Sequence, residues 1–158
     1  MTAQRKKSNG DVLQQADLIL KLYQLRRETV MREARAYIGG AFLPGSANDL
    51  IQIVSAGDRH SQFVLQVYGY WDMVAAFVLH GALSADLVYG TCQEMYFQYA
   101  KIQPYLAGFR EAMNLPEFLS SLERVIDGSD QGRRRVETMR KNMAVIAQVR
   151  TASQPPAL

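Results

Sequence analysis

The chain has 158 residues, of which 48% are hydrophobic and 21% are charged, with a formal net charge of +3. This length suits one folded domain, and the apolar content excludes an intrinsically disordered chain. A single cysteine, Cys92, excludes an internal disulfide and favours a reducing, cytoplasmic location in which the thiol acts as a small core residue.

Apolar residues recur at helical spacing along nearly the whole chain, which predicts an all-α fold, a bundle of about six helices. We expect one domain over residues 11–151 between flexible tails at 1–10 and 152–158. Asp11 and Gln14 resemble a capping box that opens one long N-terminal helix ending near Ile38. Its predicted packing stripe consists of Leu13, Ala16, Leu20, Tyr23, Val30, Ala34 and Ile38.

A central apolar helix is predicted from about Arg59 to His80, after a short helix that Ser46 and Asp49 open. The stretch 63–79 is apolar around most of its circumference. A small bundle covers only one side of such a helix, so part of its apolar surface would remain exposed in a monomer. We therefore expect a twofold homodimer. Gln66 and Asp72 interrupt the same stretch, which argues against a membrane span.

Three further helices complete the prediction. The fourth begins at Ser84 and is ended or kinked by Pro104, after which a short segment reaches Met113. The fifth helix begins after Pro116, and the last runs from about Gly132 to Thr151. In the last helix the inward stripe is predicted at Val136, Met139, Met143, Ile146 and Val149.

Two residues of the central helix break a local rule. Gly69 is unfavourable within a helix by about 1 kcal/mol relative to Ala, which predicts close approach of another helix. Asp72 lies beside Trp71 in an apolar run, where an unpaired carboxylate is costly, so it either faces water or pairs with a cation. The candidate partners for a structural ion pair are Arg110, Arg26 and Arg27.

No catalytic constellation is visible, so we expect a protein that is not an enzyme and needs no cofactor. His60 and His80 lie at opposite ends of one predicted helix, too far apart to share a metal ion. The glycine clusters lack the Lys-Ser/Thr ending of a phosphate-binding loop. A further hypothesis is a small-ligand pocket within the bundle, lined by the aromatic residues Tyr68, Tyr70, Trp71 and Phe77.

Basic residues are concentrated at the two ends of the chain. Residues 131–158 contain six basic and one acidic side chain, whereas residues 40–100 contain one basic and five acidic. The basic ends either bind a polyanion or pack beside the acidic middle, and the second interpretation needs no partner. The polyanion candidates are Arg133, Arg134, Arg135, Arg140 and Lys141, but no aromatic residue is interleaved with them, so nucleic acid is not the expected partner.

The segment YWDMVAAFVLHGALSADL at residues 70–87 resembles small bacterial helical families of unknown function. In those families an aromatic, acidic helix ends at a glycine, and a second helix leads to an aromatic residue, a proline and an arginine. Here the later features correspond to Tyr96 and Tyr99, Pro104 and Arg110. The resemblance implies an all-α fold and no particular reaction.

The function expected from these observations is protein interaction, primarily self-association, with an unidentified protein partner as a second expectation. The alternatives are polyanion binding through the basic ends and small-ligand binding inside the bundle. No membrane association is expected, and the polar residues Ser8 to Asp11, where a signal peptide needs an apolar run, predict that the chain is not secreted.

Overall fold

A computed structural model describes residues 9–152, and within this range the chain forms eight α-helices and no strand. The all-α prediction is confirmed, although the number of helices is eight and not six. The helices are α1 (Asn9–Leu25), α2 (Thr29–Gly39), α3 (Ala47–Ser55), α4 (Arg59–Leu79), α5 (Ala85–Thr91), α6 (Gln93–Met113), α7 (Ser120–Asp127) and α8 (Asp130–Ala152).

The long N-terminal helix predicted to run to Ile38 is wrong, because the chain turns between α1 and α2. The Arg26 side chain points inward, with the residue 9% exposed, and the freed Arg26 carbonyl accepts a hydrogen bond from Arg35 Nη1 at 3.3 Å. Glu28, just before α2, has an extended backbone. Helical periodicity continues across this turn, so the sequence pattern alone could not reveal it.

The predicted fourth helix is also divided differently. The break falls at Cys92, after Thr91 Oγ1 donates to the Leu87 carbonyl at 2.6 Å, and α6 then continues through Pro104. Proline costs a helix one hydrogen bond, but the Pro104 ring itself is exposed, and the remaining bonds carry the helix through it. Of the two effects expected of Pro104, ending the helix is therefore wrong, and a kink stays a prediction.

Three of the predicted helix starts are confirmed by their caps. Ser46 Oγ accepts from the Asp49 amide at 3.0 Å, and Ser84 Oγ accepts from the Leu87 amide at 3.2 Å. At α4, Asp58 Oδ1 accepts from the Ser61 amide at 2.8 Å. These bonds satisfy amides that a helix N-terminus leaves without partners.

Two predicted boundaries move. Helix α1 begins at Asn9, so Asp11 lies in its first turn and Asn9 and Gly10 do not belong to a tail. Helix α7 begins at Ser120 and not after Pro116, because Leu119 adopts a left-handed backbone with φ of 57°. Ala152 ends α8, and the other tail residues, 1–8 and 153–158, lie outside the described range.

Helix α4 is not a central apolar helix. One side packs against α2, α3 and α7 and buries Tyr68 and Trp71, each 1% exposed. The opposite side is a solvent-exposed stripe that includes Leu65 and Met73, 47% and 37% exposed. Its exposed residues are Gln62, Leu65, Gln66, Gly69 and Met73. Within residues 9–152, no helix combines the length and apolarity needed to cross a membrane.

Gly69 lies on this exposed stripe, and a Cβ atom placed on it would meet nothing within 4 Å. The expected close approach of another helix is therefore wrong. Glycine gives the unfolded chain more backbone freedom to lose on folding, and no described packing contact at Gly69 offsets this cost.

We predict that Gly69→Ala raises the free energy of unfolding by about 0.5–1 kcal/mol, because alanine is the better helix former and meets no obstacle. Gly81→Ala is the matched control, since Gly81 has φ of +78° and a side chain there strains the backbone. Urea melts of the two variants should shift in opposite directions. A lower midpoint for Gly69→Ala would show that the exposed stripe has a packing partner.

Candidate functional site

Asp72 connects α4 to the start of α7. It is partly buried, as expected, and its Oδ1 accepts a hydrogen bond from the Leu122 amide at 2.8 Å. The predicted pairing with an arginine is wrong within the described chain, where Arg26 and Arg110 pair with other carboxylates and Arg27 is exposed. Asp72 instead satisfies an amide in the first turn of α7, the capping role that a local side chain normally fills.

Arg110 fastens the end of α6 to the segment that follows. Its Nη1 lies 2.8 Å from Glu123 Oε2, and its Nε donates to the Phe118 carbonyl at 2.9 Å. Both contacts lie within 13 residues along the chain. Arg110 therefore orients the turn before α7 and does not pair with Asp72, which bonds to the α7 backbone.

The strongest electrostatic feature is a cluster of Arg26, Arg35 and Glu94, which we call the Glu94 cluster. Arg35 binds the carboxylate through both edges, with Nε 2.8 Å from Oε1 and Nη2 2.6 Å from Oε2. Arg26 Nη2 also donates to Oε2, and its guanidinium carbon lies 5.0 Å from the centre of the Trp71 ring. Two cations share one carboxylate, so the cluster keeps a formal charge of +1.

Burial and pairing act in opposite directions on Glu94. Desolvation raises its pKa, but hydrogen bonds and attraction from Arg35 and Arg26 outweigh this and hold the pKa below its ordinary value. The hydrogen bond to Glu94 likewise raises the pKa of Arg35. Sequence reasoning missed Glu94 and Arg35, because partners 59 and 68 residues apart leave no local spacing signal.

A cleft of about 280 Å³ lies beside this cluster, between α1, α4 and the α5–α6 junction. Of the four predicted pocket residues, Tyr70 lines it, whereas Tyr68 and Trp71 are packed in the core and Phe77 lies elsewhere. The cleft is lined by Ile19, Leu20, Leu22, Tyr23, Arg26, Tyr70, Thr91 and Cys92. Cys92 is 7% exposed, as expected of a core residue, and burial raises the pKa of its thiol.

The basic residues of α8 have different environments. Arg133 pairs with Asp130, and Lys141 Nζ lies 2.8 Å from Glu137 Oε1. The Arg135 guanidinium carbon lies 3.2 Å from the centre of the Tyr89 ring, and Arg140 lines a second cavity. Arg134 is exposed. Because most of these cations already contact a carboxylate or a ring, the polyanion hypothesis loses support.

The two histidines do not form a site. The His60 ring stacks on Tyr37 with centroids 4.2 Å apart, and His80 is exposed at the end of α4. In residues 9–152, no group of three or more His, Cys, Asp or Glu side chains is arranged to hold a metal ion.

Comparison with known proteins places these features in one family. A family model described as a domain of unknown function, DUF4760, matches residues 12–129. The chain belongs to this family. The resemblance to helical families of unknown function is thereby confirmed. No curated protein and no solved structure matches the chain.

The DUF4760 match has a structural boundary. It extends from the first turns of α1 to the residue before α8 begins at Asp130. It therefore includes the Glu94 cluster and the bond between Asp72 and α7, whereas basic α8 lies outside it.

For the Glu94 cluster we predict that Glu94→Gln lowers the free energy of unfolding by about 3–5 kcal/mol, because it leaves two arginines without their anion in a site where the Glu94 side chain is 19% exposed. Glu33→Gln is the control, since the Glu33–Arg59 pair is 45% and 68% exposed and should contribute less than about 1 kcal/mol. Chemical denaturation measures both. Equal losses would show that the cluster is no more than a surface pair.

The lowered pKa of Glu94 predicts how the stability of the protein depends on pH. Because folding lowers the Glu94 pKa, its stabilisation is complete above the ordinary value of 4.5 and is lost as pH falls through the lowered value. Below pH 4.5, wild-type stability should therefore fall more steeply than that of Glu94→Gln. If the free energies of unfolding of wild type and Glu94→Gln changed in parallel with pH, the lowered pKa of Glu94 would be contradicted.

For Asp72 we predict that Asp72→Ala costs about 0.5–2 kcal/mol, the range for loss of a helix cap, and that Asp72→Asn, which keeps an acceptor oxygen, costs less. Asp17→Ala removes a carboxylate from an exposed pair with Lys21 and should cost under about 0.5 kcal/mol. Thermal melts rank the three variants. If Asp72→Ala matched Asp17→Ala, the bond to Leu122 would be unimportant for stability.

Proposed function

We propose that this DUF4760 chain is a non-enzymatic, cytoplasmic self-association module that forms a twofold homodimer. The observation that supports it is the outward face of α1. Leu13, Leu20 and Tyr23 are 71%, 63% and 54% exposed, although the sequence pattern predicted them to pack inward. Large apolar side chains aligned on one exposed face are typical of protein-interaction surfaces.

The apolar residues of α1 form a continuous stripe. At about 100° per residue, Val12, Leu13, Ala16, Leu20 and Tyr23 fall within an arc of about 100°. The side chains of α1 that are both described and buried, Gln15 and Leu22, lie on the adjacent edge. Helix α1 is therefore held to the bundle by one edge and keeps its apolar stripe in solvent.

A second exposed apolar surface lies at the end of α8. Val136 is 1% exposed, but Val145, Ile146 and Val149 are 56%, 49% and 60% exposed. The inward stripe predicted for the last helix is thus correct in its first half and wrong beyond Met143. Past that point Val145 and Ile146 are exposed to solvent in the described structure.

The proposed contact joins α1 of one copy to the distal half of α8 of the other. Helix α1 carries two acidic residues and one basic residue, whereas α8 carries two acidic and six basic, so their net charges are opposite. The opposite net charge of the two helices favours this pairing over that of α8 with α8. Repeating the contact through a twofold axis buries both stripes in each copy.

The proposal predicts a mass of twice 17.8 kDa in light scattering after size exclusion at tens of micromolar. Leu13→Glu with Leu20→Glu should weaken dimerisation at least about tenfold, because charges replace apolar side chains at the interface. Val145→Glu with Ile146→Glu should do the same. Leu115→Glu is the control, since Leu115 is an exposed apolar residue, 45% exposed, outside both stripes.

A wild-type monomer of 17.8 kDa would refute the proposal. Dissociation by the α1 variant but not by the α8 variant would refute the proposed pairing of α1 with α8. A dimer that all three variants leave intact would place the interface elsewhere.

A further inference from the structure

A second cavity, of about 220 Å³, is lined by none of the residues assigned above to the dimer contact. It is bounded by the segment after α2, by the middle of α6 and by α8. The lining residues are Leu43, Pro44, Ala100, Lys101, Pro104, Tyr105, Arg140 and Met143. Two of them are cations and none is a carboxylate.

Lys101 is 8% exposed and its ammonium group is held by backbone carbonyls. Nζ donates to the Ile38 and Phe42 carbonyls at and beyond the end of α2. No carboxylate lies within ion-pair distance of it among the described residues. Burial lowers the Lys101 pKa, as expected where no anion offsets the loss of water.

Arg140 supplies the second cation. Its Nε is buried and has no hydrogen-bond acceptor in the described structure, and its guanidinium forms no ion pair there. The carboxylate one turn earlier, Glu137, is 62% exposed and bound to Lys141. A buried donor without an acceptor is costly, so an anion that paired with the Arg140 guanidinium from the cavity would offset this cost.

The rest of the lining selects among anions. Leu43, Pro44, Ala100, Pro104 and Met143 are apolar, so a fully hydrated anion would lose water without recovering its hydrogen bonds. A small apolar molecule that carries a carboxylate fits both the cationic and the apolar part of the lining. Its carboxylate matches the planar guanidinium of Arg140, and its apolar group contacts the apolar side chains. The volume of 220 Å³ corresponds to about seven waters of liquid, which limits the ligand to a small molecule.

We propose that this cavity binds a small organic carboxylate, with Arg140 as its recognition residue and Lys101 as a fixed positive charge.

Benzoate is the probe, titrated into the full chain labelled with ¹⁵N. The Arg140 Nε–Hε signal, assigned by its loss in Arg140→Gln, should shift saturably with benzoate and stay unmoved with the neutral analogue benzamide. Arg140→Gln should weaken benzoate binding about tenfold or more, as expected for loss of a charged hydrogen bond. Arg134→Gln removes the same charge from an exposed position on α8 and should change the affinity less than about twofold.

Three results would overturn the proposal: no shift of the Arg140 signal at millimolar benzoate, equal weakening by the two arginine variants, or inorganic phosphate competing as well as benzoate does. The last would mean that the site takes any anion. If Arg140→Gln does not fold, Arg140→Lys serves instead, and the comparison of benzoate with benzamide on the wild-type chain decides alone.

Discussion

A single carboxylate, Glu94, fixes the relation between the N-terminal helices and the rest of the bundle. It lies near the start of α6 and is bound by Arg26 from the end of α1 and by Arg35 from α2. The Arg26 side chain points inward to reach Glu94, at the position where α1 would otherwise continue into α2. The turn sends α1 and α2 in different directions, so α2 packs on α4 while α1 crosses the edge of the bundle.

The exposed face of α1 follows from this constraint. Because α1 is attached through Arg26, Leu22 and Gln15, most of the surface of its apolar stripe remains exposed. The Gln15 side chain accepts from the Ser84 amide at 2.8 Å, and the Leu22 carbonyl accepts from Tyr70 at 2.8 Å. These two polar bonds and the packing of Leu18, Ile19 and Leu22 hold one side of α1. The exposed apolar side chains on its other side are available to another surface.

Positive charge remains inside the fold in two places. The Glu94 cluster has one carboxylate for two arginines, and the second cavity has Lys101 and Arg140 with none. In the first place aromatic rings of Trp71 and Tyr23 lie within 5.2 Å of the Arg26 guanidinium carbon and share in stabilising it. In the second, carbonyls satisfy Lys101, and the buried Arg140 Nε lacks an acceptor, as the buried Arg26 Nε also does. The two places differ because Arg26 is paired with Glu94, whereas Arg140 forms no ion pair with a described carboxylate. This difference makes the second cavity the better site for an anion.

The sequence by itself determined the all-α class, the helix starts at Ser46, Arg59 and Ser84 and the burial of Cys92, because each depends on neighbours within a few residues. It also indicated that Asp72 needs a partner. Only the tertiary structure decided that this partner is an α7 amide, that Glu94 joins two arginines, and that the α1 stripe faces solvent. Periodicity shows that a helix has an apolar face, but what that face meets depends on contacts far apart in the chain.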